Sequence, residues 1–142
     1  MRPLAQLIQG KQPLVSVGPD DTVLTALTLL AQHEIGALLV LESGRLVGIF
    51  SERDYARKII LKGKSSKDTL VREIMIDRVS CVTLSETVEE CMALMTGKRV
   101  RHLPVLGEDN EVLGIISIGD LVKETISDQK FTIEQLVHYI QS

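Results

Sequence analysis

The chain is written twice, and this duplication constrains its fold more than any other feature. Ser16-Val17-Gly18-Pro19-Asp20-Asp21-Thr22-Val23 is answered by Cys81-Val82-Thr83-Leu84-Ser85-Glu86-Thr87-Val88, each a short extended stretch, a polar turn and a threonine. After the threonine, Val23, Ala26, Leu27, Leu30 and Ala31 fall on one helical face, and Val88, Cys91, Met92, Met95 and Thr96 repeat the pattern. Thr22 and Thr87 stand where N-caps belong, and Glu90 completes a capping box in the second copy.

Two apolar, β-branched runs follow, Ala37 to Leu41 and Arg45 to Phe50, with Glu42-Ser43-Gly44 between them as a hairpin turn. The second copy has His102 to Leu106, a turn through Gly107-Glu108-Asp109-Asn110, and Glu111 to Ile116. A second helix is expected in each copy, from about Ser51 to Leu61 and from about Ser117 to Ile126. Each half therefore reads β-α-β-β-α, an α/β (α+β) class. One three-stranded sheet with two helices cannot bury both faces, so the halves are expected to pack sheet to sheet about a pseudo-twofold axis.

The 142 residues suit two half-size lobes sharing a core, because a lone lobe of about 60 residues is marginal. The expected organisation is an N-terminal helical segment over 1–14, with Leu4 to Leu14 as a short helix, then a first repeat with its linker over 15–68. The second repeat covers 69–128, and a C-terminal helix covers 129–142, with Ile133, Leu136, Val137 and Ile140 on one face. That helix is expected to dock on the body or on a second subunit.

Composition narrows the function classes. A net charge of −3 and a pI near 5.6 argue against broad adhesion to nucleic acid or anionic membrane. Trp is absent and only four residues are Phe or Tyr, too few for base-stacking platforms. No apolar run is long enough to span a bilayer and the start lacks a signal-peptide core, so the expected location is cytoplasmic. Cys81 and Cys91 have no CxxC spacing and read as small buried residues in a reducing compartment.

The chemistry-bearing motif closes each hairpin: Gly48-Ile49-Phe50-Ser51-Glu52-Arg53-Asp54 and Gly114-Ile115-Ile116-Ser117-Ile118-Gly119-Asp120. A serine ending a strand and opening a helix sits where unpaired N–H groups favour an anion. The aspartate one turn on can accept from ribose hydroxyls. Ser-x-x-Asp is also a plain capping box. Its occurrence with a preceding glycine at equivalent places in both repeats favours a ligand role beside capping.

The span from about Val15 to Ile126 resembles a tandem CBS-domain, or Bateman, module of the small stand-alone type. Ser51-Glu52-Arg53-Asp54-Tyr55-Ala56-Arg57-Lys58, Arg99-Val100-Arg101-His102-Leu103-Pro104-Val105 and Ser117-Ile118-Gly119-Asp120 look like that family. The resemblance implies a non-catalytic regulatory module for energy sensing and signal transduction. It would bind AMP, ATP, NAD or a related adenosyl ligand between its repeats and relay occupancy to an unknown downstream protein, usually as a homodimer. It places Ser16, Ile35 and Ala37 with Ser51 and Asp54 in one site. Cys81, Val100, Arg101, His102, Leu103, Pro104, Ser117 and Asp120 form the other.

The two sites are expected to be unequal. Arg101 and His102 stand where the first repeat has Gly36 and Ala37, whereas Glu52 and Arg53 stand where the second has Ile118 and Gly119. The stronger expectation falls on the second site. Cys81 replaces a position that is often threonine in the family, and a thiol is a poor hydroxyl substitute. The competing readings are an interaction and dimerisation module with vestigial sites, and a nucleotide-processing enzyme. No nucleophile with its base, metal spacing, P-loop or Rossmann glycine pattern supports the enzyme, so no catalytic residue, metal or catalytic cofactor is expected.

Overall fold

The computed structural model describes residues 3–8 and 14–141. Helix α1 (Leu4–Ile8) comes first, then strand β1 (Ser16–Val17), helix α2 (Val23–His33), and strands β2 (Ala37–Glu42) and β3 (Arg45–Ser51). Helix α3 (Glu52–Tyr55) continues as a π-helical turn over Ala56–Ile60. After α4 (Val71–Ile74) the pattern repeats as β4 (Val82–Thr83), α5 (Val88–Lys98), β5 (His102–Leu106), β6 (Val112–Ser117) and α6 (Ile118–Gln141).

The chain forms two three-stranded sheets, β1-β2-β3 and β4-β5-β6, each with a parallel and an antiparallel pair. Local chemistry explains the elements. Thr22 and Thr87 cap α2 and α5 by accepting from Thr25 N and Glu90 N, and the Glu90 carboxylate closes the capping box on Thr87 N at 3.2 Å. Both helices end on a left-handed residue, Glu34 at φ 53° and Arg99 at φ 56°. The first hairpin turns through Ser43 and Gly44 at φ 52° and 79°, the paired positive values that a tight two-residue turn requires.

Each sheet lays one face on its own helices. Leu38, Val40 and Phe50 join Val23, Ala26 and Leu30 in the first core, and Leu103, Val105 and Ile116 join Val88, Cys91 and Met95 in the second. Ala37, Leu39 and Ile49 alternate onto the opposite face of the first sheet and are buried there too, as a sheet packed on both sides requires.

The boundaries differ from expectation in three places. Val71 and Ile74, read as the start of the second repeat, belong to the first core, while Leu4 belongs to the second. The backbone bonds are matched: Val71 N donates to Asp21 O at 2.8 Å, and Leu4 N to Glu86 O at 3.1 Å. Each core is thus closed by the short helix that precedes the other repeat, so a division at 15 and 69 cuts through both cores. Burying one such leucine is worth about 1.5–3 kcal/mol, which explains why so short a helix as α1 holds its place.

Second, α1 is described over Leu4–Ile8, Leu14 is not helical, and residues 9–13 of the expected helix lie outside the described residues. Third, no break separates a terminal helix. Ile118 to Gln141 is one helix, because no glycine or proline interrupts it after Gly119 and Ser127 to Lys130 are accommodated within it.

Candidate functional site

The hairpin end of the first repeat is a fully formed capping box. Ser51 N and Oγ donate to Asp54 Oδ2 at 3.0 and 2.9 Å, and Asp54 N donates back to Ser51 Oγ at 3.3 Å. Asp54 is 6% exposed, and its Oδ1 lies 3.4 Å from Lys58 Nζ, which also donates to Ile74 O at 2.9 Å. Glu52 N is taken by Gly36 O at 3.1 Å. The start of α3 was expected to offer unpaired N–H groups to an anion. The structure spends those of Ser51, Glu52 and Asp54 internally, so negative charge must be met by side chains.

The motif glycine has its own explanation. A Cβ on Gly48 would lie 2.6 Å from Met75 Sδ and 2.9 Å from Ile76 O. The linker runs tightly against β3 there, with Ile49 N donating to Ile76 O at 2.9 Å and Ile76 N to Ile49 O at 3.0 Å. A Cβ on Gly114 would likewise lie 2.9 Å from Ile8 Cδ1.

The Ile49–Ile76 pairing and the Ser51 turn border a cleft of about 680 Å³. Its first-repeat wall is Gly36, Ile49, Ser51 to Asp54, Arg57 and Lys58. Its opposite wall comes from the linker and the second repeat: Ile76, Arg78, Val79, Ser80 and Lys98 to His102. Val100, Arg101 and His102 were assigned to the second site with Ser117 and Asp120. The cleft brings them to Ser51, Arg53 and Asp54 instead, since His102 abuts Gly36, whose Cβ would sit 3.4 Å from its Nε2.

The other expected residues are placed as follows. Ser16, Ile35 and Ala37 do not line the cleft, although Ala37 is the strand partner of Ser51. Cys81 lies just past Ser80, its Sγ 3.8 Å from Val79 O. Leu103 and Pro104 are buried in β5. Ser117 and Asp120 repeat the cap, with Ser117 N donating to Asp120 Oδ2 at 2.8 Å and Asp120 N to Ser117 Oγ at 3.1 Å. Ile118 lines a shallower hollow of about 370 Å³ shared with Arg53, Arg99, Val100 and Arg101. The segment matching Ile76 to Ser80 would be 9–13, outside the described residues.

Sequence reasoning missed Arg78, Val79, Ser80, Lys98 and Arg99 as cleft residues. The likeness of Leu4-Ala5-Gln6-Leu7-Ile8 to Val71-Arg72-Glu73-Ile74-Met75 was the available signal, since it shows that each repeat begins before its first strand.

The family model for the CBS domain matches residues 8–61 and again 71–127. The chain belongs to the CBS-domain family. This CBS pair is 43% identical over 127 residues to the mitochondrial CBS domain-containing protein CBSX3 of Arabidopsis thaliana, covering 86% of this chain but only 61% of that protein. Among solved structures it superposes on a CBS-domain protein from Burkholderia ambifaria with a TM-score of 0.86 and 47% identity, covering 90% of this chain and 96% of the other. It shares the fold of the CBS domain protein PAE2072 from Pyrobaculum aerophilum, solved in complex with AMP, with a TM-score of 0.75 and 24% identity over 84% of this chain and 89% of that one.

Proposed function

We propose that this CBS pair is a non-catalytic regulatory module. It binds an adenine nucleotide in the cleft between Ser51–Asp54 and Lys98–His102 and relays occupancy to a partner protein. The observation that carries this reading is the cleft itself, which joins an Asp-bearing turn, apolar surface and a cationic edge across two repeats. Its volume falls within the roughly 300–1,000 Å³ usual for small-molecule sites. Ile49, Ile76, Val79 and Val100 offer apolar surface to a base, Asp54 Oδ1 to a ribose hydroxyl, and the arginines to phosphate. AMP in the Pyrobaculum protein supports the ligand class.

Signalling then follows from linkage. Any state of the protein with a better-formed cleft gains population in proportion to its greater affinity for the ligand. The cleft is built from both repeats, so their relative placement is the variable that a ligand would bias. A second, weaker site at Ser117 and Asp120 completes the reading. Self-association as a homodimer is supported by the exposed apolar side chains of α6, among them Ile126, Ile133, Leu136 and Ile140. A reducing location such as the cytoplasm is supported by two unbridged cysteines, and no helix among the described residues is long and apolar enough to cross a membrane.

Calorimetry with AMP, ATP and NAD tests the proposal, with saturable heat expected for at least one. Absence of heat and of any ligand-induced melting shift would favour an interaction module with vestigial sites. Chromatography after incubation with ATP or NAD should return each unchanged, and product formation would favour an enzyme.

A further inference from the structure

The nucleotide reading leaves open how many phosphates the cleft is built for, and its charge distribution bears on that. Lys58 is engaged by Asp54 and Ile74 O, and Arg53 by Arg99 O. Arg57, Arg78, Lys98, Arg99 and Arg101 also line the cleft, yet none is in an ion pair among the described residues. Among the described residues lining the cleft, two are carboxylates, Glu52 and the already committed Asp54. In a chain of net charge −3 this concentration of unpaired cations is local.

The five are solvent-exposed, so water and salt screen much of their mutual repulsion, and a polyanion in the cleft would lower it further. A monophosphate carries at most about two negative charges. Placed at the Ser51 turn it would lie on the wall of Arg57, leaving Arg78, Lys98, Arg99 and Arg101 across the cleft uncompensated. Because the backbone N–H groups of the turn are largely consumed, the guanidinium groups are the main available donors. Their fork geometry suits successive phosphate groups.

We propose that this cleft selects a nucleoside di- or triphosphate over the monophosphate, with Arg78, Arg99 and Arg101 of the far wall binding the outer phosphates. This rests on the nucleotide reading above. Each added phosphate brings negative charge towards cations that otherwise repel one another, so affinity should rise along the series.

The test is calorimetry on the full chain in metal-free buffer with adenosine, AMP, ADP, ATP, NAD and inorganic tripolyphosphate. ATP is expected to bind about tenfold or more tightly than AMP, the size of one charge-assisted contact or more. Its affinity should also fall more steeply with added salt. Arg101→Gln, and separately Arg78→Gln, should bring the ATP to AMP ratio to within about threefold, each variant first checked for native circular dichroism. If AMP or NAD binds as tightly as ATP, the selectivity is refuted and the nucleotide reading stands. If tripolyphosphate binds as well as ATP while adenosine and AMP do not bind, the nucleotide reading fails and polyphosphate recognition survives. Binding by none of the six sinks both.

Discussion

Arg53 of the first repeat donates through Nη1 to the carbonyl oxygen of Arg99 in the second, at 3.5 Å. Arg99 ends α5 in the left-handed region, so its carbonyl lies outside the helical hydrogen-bond pattern and is open to a donor from the other repeat. At the outer limit of hydrogen-bond length the contact is weak. On the nucleotide reading proposed above, an anion entering the cleft would draw the guanidinium away at little cost. Arg53→Ala should therefore change stability by only about 0.5 kcal/mol in a denaturant melt. The same variant should weaken nucleotide binding by about tenfold in calorimetry.

Asp54 has the opposite character, because its carboxylate holds the start of α3 and faces the cleft. Asp54→Ala removes the capping box and leaves Lys58 without its partner, at a cost of about 1 kcal/mol, or a Tm lowered by about 2–4 °C. It should also abolish most of the ligand-induced melting shift, which is about 2.7 kcal/mol at a hundredfold excess over Kd for the intact site. Asp120→Ala should cost similar stability yet retain that shift, and its loss there would overturn the assignment of the main cleft to Asp54.

The first motif glycine is predicted to tolerate a methyl group poorly. At Gly48 the new Cβ meets both Met75 and the main-chain oxygen of Ile76, and backbone cannot step aside. At Gly114, among the described residues, it meets the end of the Ile8 side chain. Gly48→Ala should cost about 1–3 kcal/mol, measured by urea unfolding. An unchanged stability would mean that Met75 and Ile76 do not run against β3 as described.

Cysteine reactivity gives a pH-dependent check. Burial, with Glu86 and then Glu90 nearby, pushes the Cys91 thiol up to about 11, and burial also raises that of Cys81. Cys91 is fully buried and Cys81 partly exposed, so a thiol reagent at pH 8 should label Cys81 first and Cys91 only on unfolding. A folded-state value above the unfolded one means the native state holds the proton longer. Cys91 therefore contributes stability that is fully present below about pH 9 and is lost as the pH rises towards 11. Cys91→Ala should flatten that part of the stability profile.

Much of this was legible in the residues. Thr22 and Thr87 marked the caps, Gly44 the turn, and Ser51 with Asp54 and Ser117 with Asp120 the hairpin ends, because each acts through neighbours a few positions away. What could not be read was pairing through space. Arg101 follows α5 and His102 opens β5, so chain order ties them to Ser117, whereas the pseudo-twofold arrangement presents them to Ser51 and Asp54. The exchange of α1 and α4 between cores was hidden for the same reason, since four or five residues carry too little periodicity to declare which sheet they cover.

Helix α6 is rooted in the cap at Ser117 and Asp120 and keeps only Leu121 fully buried, while residues 129–141 are exposed. At 24 residues it is roughly 36 Å long. A tilt of about 5° at its root would carry Gln141 through about 3 Å by the geometry of such a rod. The far end is thus a pointer whose reading magnifies small changes at the base of the second repeat, and a molecule gripping that tip would work against them with the same leverage.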